Sequence, residues 1–287
     1  MSLTLRFWGV RGSLPSPGAG TARYGGNTPC VELTHPGGRV VLDAGTGMRA
    51  LGEARRVDGS LAGPLDVLVT HAHADHLLGL PFFAALDEPG AAVTVHAAAH
   101  VLETVRAAAH ALASPPLFPV PLMARAAPVM FASLPLNGAG PTLVAGLHVH
   151  AFEALHPGGA AGFRVTVPDS GRTVVYLPDN ELAAADASGD RRRALLDAVS
   201  GAELLVHDAT YVPTELPLRN GWGHSTYAEA VRFAADAGVP RLALFHHHPE
   251  RDDAALDRMA DEATALGRQA RAALEVFMAV EGAALTV

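Results

Sequence analysis

Thr70-His71-Ala72-His73-Ala74-Asp75-His76 is the stretch on which the reading of this chain turns. It follows the apolar run Val67-Leu68-Val69 and precedes a second, Leu77 to Phe83. Three imidazoles and a carboxylate between positions 71 and 76 make a donor set for a hard or borderline divalent cation. The spacing says more than the count. His71, His73 and Asp75 alternate, so in an extended segment they project to one side. On a helix, residues two apart diverge by about 200°, and one ion would not collect them all. The helical HExxH arrangement, with its intervening glutamate, is absent. The stretch reads as a loop at the end of a strand, with His76 opening the next element. A chance cluster in a chain with 15 histidines is the bland alternative, and the alternation argues against it.

The chain has 287 residues, enough for one large α/β domain or two smaller ones. Its composition, 49% hydrophobic and 17% charged, is that of a globular protein with a sizeable core. A formal charge of −8 is no footprint for non-specific nucleic-acid binding. Bound divalent cations would offset that charge at the one place an anionic substrate would meet. The single cysteine, Cys30, excludes an intramolecular disulfide and a Cys-rich zinc module. Met1 to Val10 lacks the pattern of a signal peptide, and no apolar run has the length of a membrane span. A cytoplasmic location without membrane contact is expected.

Outward from the motif, short apolar runs recur, each ending in a residue able to bind metal or move a proton. Leu65 to Val69 delivers His71, and Leu147 to Phe152 leads to His156. Thr173 to Leu177 precedes Asp179, Glu203 to Val206 precedes Asp208, and Leu242 to Phe245 precedes His246. If those strand ends meet at one sheet edge, they build a single site. Cys30 to Leu33 and Val40 to Asp43 read as a hairpin around Pro36-Gly37-Gly38, followed by a helix from Met48 to Arg55. Ala99 to Ala113 is a helix, and so is Arg192 to Val199. Ser225 reads as the N-cap of a helix that runs to Ala237 and stops at Gly238. The stretch 114–141 is proline-rich and irregular, with an apolar piece at Val129 to Leu134. It reads as a covering segment near the site within a single domain spanning 1–287.

His71-Ala72-His73-Ala74-Asp75-His76 resembles the HxHxDH signature of the metallo-β-lactamase superfamily. His156 in Leu-His-Pro, Asp179 in Tyr-Leu-Pro-Asp-Asn and His246 in Leu-Phe-His follow in the family's order. The resemblance covers essentially the whole chain and implies a four-layer αββα sandwich. Phe7 to Pro15 with Arg23 to Thr28, and Leu204 to Thr210 with Gly223 to Thr226, are similar to the phosphodiesterase branch, which includes ribonuclease Z and cyclic-phosphate phosphodiesterases. There are departures. Only the 22 residues Pro157 to Pro178 separate His156 from Asp179, where ribonuclease Z commonly inserts its tRNA-grasping arm, and no Gly/Pro-rich basic arm is visible there. The second-metal cysteine of some true lactamases also has no counterpart.

The resemblance implies two divalent ions, zinc foremost with manganese as the alternative. One ion would take His71, His73 and His156; the other Asp75, His76 and His246; Asp179 would bridge. It further implies a bridging hydroxide as nucleophile, with Asp75 orienting it. His224, held by Asp208, is the candidate acid for the leaving group; a helix-cap cluster is the bland alternative, and the place of Asp208 on a different strand end argues against it. Arg11, Arg23 and Asn27 are candidate substrate anchors, and Trp222 could stack on a base or fill a gap. The expected activity is hydrolysis of a phosphodiester in short or single-stranded nucleic acid, a nucleotide or a cyclic phosphate. A lactone or thioester hydrolase would use the same metals, and a non-catalytic metal module is the third class. A homodimer is expected from family habit and from the apolar loops around the site.

Overall fold

The computed structural model describes residues 3–137, 140–186 and 189–287. The first sheet contains β1 (Thr4–Gly9), β2 (Cys30–His35), β3 (Gly38–Leu42), β4 (Gly63–Val69), β5 (Ala91–Ala98) and β6 (Val129–Leu134), side by side in chain order. The second contains β7 (Thr142–Val144), β8 (Leu147–Ala154), β9 (Ala160–Thr166), β10 (Thr173–Leu177), β11 (Leu204–Asp208), β12 (Arg241–Phe245) and β13 (Glu275–Met278), again in chain order. The last strand, β14 (Ala284–Thr286), returns to the first sheet and pairs antiparallel with β1.

The two sheets face each other across a core that includes Phe7, Leu33, Leu42, Phe163, Tyr176 and Phe245. Helices α1 (Gly47–Val57) and α2 (Leu102–Leu112) cover the outer face of the first sheet. On the outer face of the second lie the short α3 (Leu182–Asp186), α4 (Gly189–Val199), α6 (Tyr227–Ala237) and α7 (Asp253–Ala270), while α5 (Leu216–Arg219) forms one turn in the loop before α6. Residue alternation shows why the central strands read as unbroken apolar runs. Val174 and Tyr176 of β10 enter the inter-sheet core, and Val175 and Leu177 enter the core beneath the helices. A strand buried on both faces has no polar alternate. The fold is the expected αββα sandwich. Among the described residues no helix is long and apolar enough to cross a membrane.

Strand direction positions the site. β10, β11 and β12 are parallel, with Leu177 opposite His207 and Asp208 opposite Phe245. Their carboxyl ends therefore present Asp179, Asp208 and His246 side by side. In the first sheet β3 and β4 are likewise parallel, and Asp43 and the histidine stretch leave from their carboxyl ends. Open parallel sheets generally place their chemistry at that edge.

Two local expectations change. Val129–Leu134 is not an apolar piece of an irregular stretch but the strand β6, paired in parallel with β5. The loop before it packs on the residues that follow the histidine motif: the Phe118 ring meets Phe82 edge-on, and Arg125 pairs with Asp87 and donates to the Pro81 carbonyl. Of the proline-rich segment, Gly138 and Ala139 lie outside the described residues. The N-cap of α6 is Thr226, one residue later than expected. Its side chain accepts from the Glu229 amide while the Glu229 carboxylate accepts from the Thr226 amide, a reciprocal capping box. Ser225 instead donates its hydroxyl to the Asn180 carbonyl and accepts from the Leu182 amide. Thr226→Ala should lower unfolding stability by about 1 kcal/mol, read as a shifted urea midpoint at unchanged slope.

Candidate metal centre

The histidine stretch leaves β4 at Val69, and a single turn of 3-10 helix from Ala74 to His76 folds Asp75 and His76 back toward His71. A fully buried carboxylate supports that turn. Asp43, at φ +60, accepts from the Thr70 amide at 2.8 Å, from the Thr70 hydroxyl and from the Tyr176 hydroxyl at 2.9 Å. Its Oδ2 also lies 2.8 Å from Nδ1 of His76. His246, likewise at φ +60, follows β12 directly. Two non-glycine residues in this sparsely populated region, both at strand ends facing one cluster, mark backbone held in place by its surroundings.

Partners on the far ring nitrogens fix the tautomers. Nδ1 of His156 lies 2.8 Å from the Gly223 carbonyl, which can only accept. Nδ1 of His76 meets the Asp43 carboxylate. Nδ1 of His246 lies 2.9 Å from the Thr210 hydroxyl, whose own proton goes to Asp208 at 2.7 Å. Nδ1 of His71 lies 3.1 Å from the Thr70 hydroxyl, which donates to Asp43. In each ring Nε2 is thereby left as the bare donor turned to the centre, the usual way a neighbour orients a metal-binding imidazole. His73 differs: its Nδ1 faces Nε2 of His156 at 3.0 Å.

Two groups result, His71 with His73 and His156, and Asp75 with His76 and His246, each with its donor atoms within 4.8 Å of one another. Asp179 reaches both. Its Oδ2 lies 3.8 Å from His71 Nε2 and 3.7 Å from His156 Nε2, and its Oδ1 lies 3.1 Å from His76 Nε2 and 3.4 Å from His246 Nε2. His71 Nε2, His76 Nε2 and Asp179 Oδ1 are buried without a hydrogen-bond partner. Orphaned polar atoms of that kind are costly, and here they converge on one spot. Burial works against ionisation of Asp179, but His246 and His76 overcome it and hold the carboxyl well below its ordinary range. Burial also pushes His71 well below the usual imidazole value, assisted by His76. Burial opposes charge on His76, but Asp75, Asp179 and Asp43 overcome it and push that ring well above the usual imidazole value, so a bound cation would displace its proton. Imidazole nitrogens and carboxylates converging on one spot are donors that a divalent cation takes, so the set fits the group.

His224 stands beside this cluster, its ring stacked on His246 at 4.8 Å between centroids and edge-on to His156 at 5.1 Å. Its Nδ1 lies 2.8 Å from Asp208 Oδ2. Burial disfavours the charged ring, but the Asp208 carboxylate outweighs it and pushes His224 up to about 9. Cations near Asp179 would oppose that protonation. Asp208 is itself fully buried and tied by the Thr210 amide and hydroxyl and the Asn180 amide.

The expected substrate anchors have other employment. Arg11 is fully buried, and its guanidinium donates to the carbonyls of Gly25, His248 and Arg251, so it clasps the N-terminal loop to the region after β12 and presents no donor to a substrate. Asn27 donates to Glu281 and accepts from the Thr46 hydroxyl. Arg23 is exposed but holds Asp257 through both of its terminal nitrogens. The loop they belong to touches the centre through its backbone. The Ser13 amide donates to Asp75 Oδ2 at 2.7 Å, and a Cβ on Gly12 would lie 2.2 Å from Nδ1 of His246. The sequence reading missed Asp43, Thr70, Thr210 and Glu181 as supports. Asp43 carries the same signal as Asp208, a carboxylate at the end of an apolar strand.

A family model described as "Beta-lactamase superfamily domain" matches residues 38–247. A protein named Ribonuclease Z from Kineococcus radiotolerans is 31% identical over 224 residues, covering 69% of this chain and 71% of that one. Another Ribonuclease Z, from Brevibacillus brevis, is 38% identical over 86 residues, which are 30% of this chain and only 24% of that protein. The solved structure of a diphosphatase from the PhnP family aligns with a TM-score of 0.67 at 18% identity, over all of this chain and 98% of the other, a likeness of fold. The family match spans both sheets and every residue of the centre from His71 to His246. The chain belongs to the β-lactamase superfamily and is a metal-dependent hydrolase.

Proposed function

We propose that this protein is a dinuclear phosphodiesterase acting on nucleic acid or nucleotides. The observation that carries it is Asp179, whose two oxygens face separate three-residue donor groups, with an imidazole–carboxylate pair alongside. His71, His73 and His156 would hold one ion, Asp75, His76 and His246 the other, and Asp179 both. Its His-rich donors suit zinc, and the carboxylates also admit manganese. Two such ions supply an acidified water as nucleophile and neutralise charge that builds on a phosphoryl group.

The chain's own residues then have separable tasks. The Ser13 amide donates to Asp75 Oδ2 and limits the freedom of that carboxylate. With Asp208 holding Nδ1 and favouring the charged ring, His224 in its imidazolium form also bears a proton at Nε2 and would give it to the departing alkoxide. Asp208 holds the ring orientation. The relatives named Ribonuclease Z support phosphodiester rather than carboxylic ester chemistry. The interval between His156 and Asp179 is occupied by the β9–β10 hairpin alone, so nothing there is built to grip a folded RNA. Together with a net charge of −8, this favours short, single-stranded or small substrates.

The test combines elemental analysis with a turnover panel under supplied zinc or manganese. The panel sets end-labelled DNA and RNA oligomers, cyclic nucleotides and bis(p-nitrophenyl) phosphate against lactones and thioesters. Two ions per chain and hydrolysis of phosphodiesters are expected. Turnover confined to lactones or thioesters would reject the proposal.

A further inference from the structure

We propose that Trp222 is a stacking platform for a nucleobase beside the scissile phosphate, so that the substrates of this site are base-bearing. The inference rests on the phosphodiesterase reading and narrows it. The chain has two tryptophans. Trp8 is structural: its Nε1 donates to the buried Glu32, and Arg6 lies over its ring. Trp222 leaves 55% of its surface exposed, although it sits in the loop whose Gly223 carbonyl orients His156. One face of the indole is backed by Arg219, whose guanidinium carbon lies 4.4 Å from the ring centroid.

That exposure does not come from a loose loop. The buried Glu181 accepts from the Gly221 amide at 2.7 Å through one oxygen and from the Gly223 amide at 2.8 Å through the other. Both residues flanking Trp222 are thus tied to one carboxylate, and the Trp222 amide donates to the Arg219 carbonyl. Gly223 also supplies the carbonyl that orients His156, and at φ +85 it packs so closely that a Cβ would lie 2.3 Å from Nδ1 of His156. With adjacent Cα atoms about 3.8 Å apart, the Trp222 backbone lies within roughly 8 Å of that of His224. A rigid, amphipathic ring on a clamped loop, two residues from His224, is already organised for binding, and little entropy is lost when a flat partner covers it. Nucleobases are the flat groups a phosphodiester brings to that position. The backing cation strengthens the ring's hold on a base and attracts the neighbouring phosphate.

The test compares dithymidine phosphate with the same phosphodiester carrying abasic sugars on both sides. Stacking on one aromatic residue is worth roughly 5- to 150-fold. Trp222→Ala should lower kcat/KM for dithymidine phosphate by about tenfold or more, chiefly through KM, and leave the abasic substrate unchanged. Trp222→Phe should restore most of the loss. Equal losses on both substrates would assign Trp222 a structural role, and no loss on either would remove it from recognition; both overturn the inference. A second readout needs no turnover. In Trp8→Phe, where Trp222 is the only indole, thymidine monophosphate should quench the fluorescence and ribose phosphate should not. If metal-loaded wild type cleaves neither dinucleotide, the phosphodiesterase reading fails, and the quenching alone decides the platform: its absence overturns it.

Discussion

Asp179→Ala should reduce the metal content from two ions per chain to one or none and cut phosphodiester turnover at least about 10³-fold. Its carboxylate spans both donor groups, with an oxygen 3.1 Å from His76 Nε2 and another 3.7 Å from His156 Nε2. Its loss therefore weakens both positions at once. Removing His73, which is close only to its own group, should spare the ion at Asp75, His76 and His246. The fold should survive Asp179→Ala, because its Oδ1 accepts no hydrogen bond whose donor would be stranded. Elemental analysis with a circular dichroism spectrum checks this. A variant that keeps two ions and wild-type turnover would show that Asp179 does not bridge.

The second large effect is expected at Asp208→Asn. Here both ions should stay, since Asp208 is not in either donor group reached by Asp179, while turnover falls roughly 10²- to 10⁴-fold. The asparagine oxygen can keep the bonds from the Thr210 amide and hydroxyl, while the Asn180 amide loses its acceptor, so a circular dichroism spectrum is recorded beside the turnover. What changes is the partner of His224 Nδ1, at 2.8 Å from the carboxylate. An amide there no longer favours the proton-bearing ring, and Nε2 loses the proton that the leaving group takes. Substrates with a good leaving group, such as bis(p-nitrophenyl) phosphate, should suffer much less than natural-type alkoxide esters. If Asp208→Asn retained full turnover of a dinucleotide with both ions bound, the pair would be a structural tie only.

The gathering of these side chains was legible from the sequence because each sits at a fixed place relative to a short apolar run, and the ends of parallel strands gather by geometry. His71, His73, Asp75 and His76 announce themselves in one loop, whereas His156, Asp179 and His246 become a set only through their common strand-end context. Asp208 and His224 were readable for the same reason, being strand end and helix approach. The supports were not. Asp43 and Thr210 act through contacts between strands, and nothing in their own neighbourhood tells which ring they will face. Arg11 misled because a cation in a Gly/Pro-rich loop looks free to bind anions; its burial against three carbonyls follows only from the loop's tertiary path. The Ser225-to-Thr226 shift at the head of α6 is of a smaller kind. Both residues cap helices well, and only the Glu229 partner selects between them.

The division of the donors between the sheets has a thermodynamic side. His71, His73, Asp75 and His76 belong to the first sheet's edge, and His156, Asp179 and His246 to the second's, so an ion held by either group ties one half of the sandwich to the other. In a chain stripped by a chelator, the buried unsatisfied atoms there disfavour closure by about 1–3 kcal/mol each. Ion binding and sandwich formation are then linked equilibria. Each tenfold rise in free cation above the dissociation constant adds about 1.4 kcal/mol to the closed form. A loaded centre would thus double as a mineral crosslink, with the free cation concentration setting how firmly the two sheets are held together.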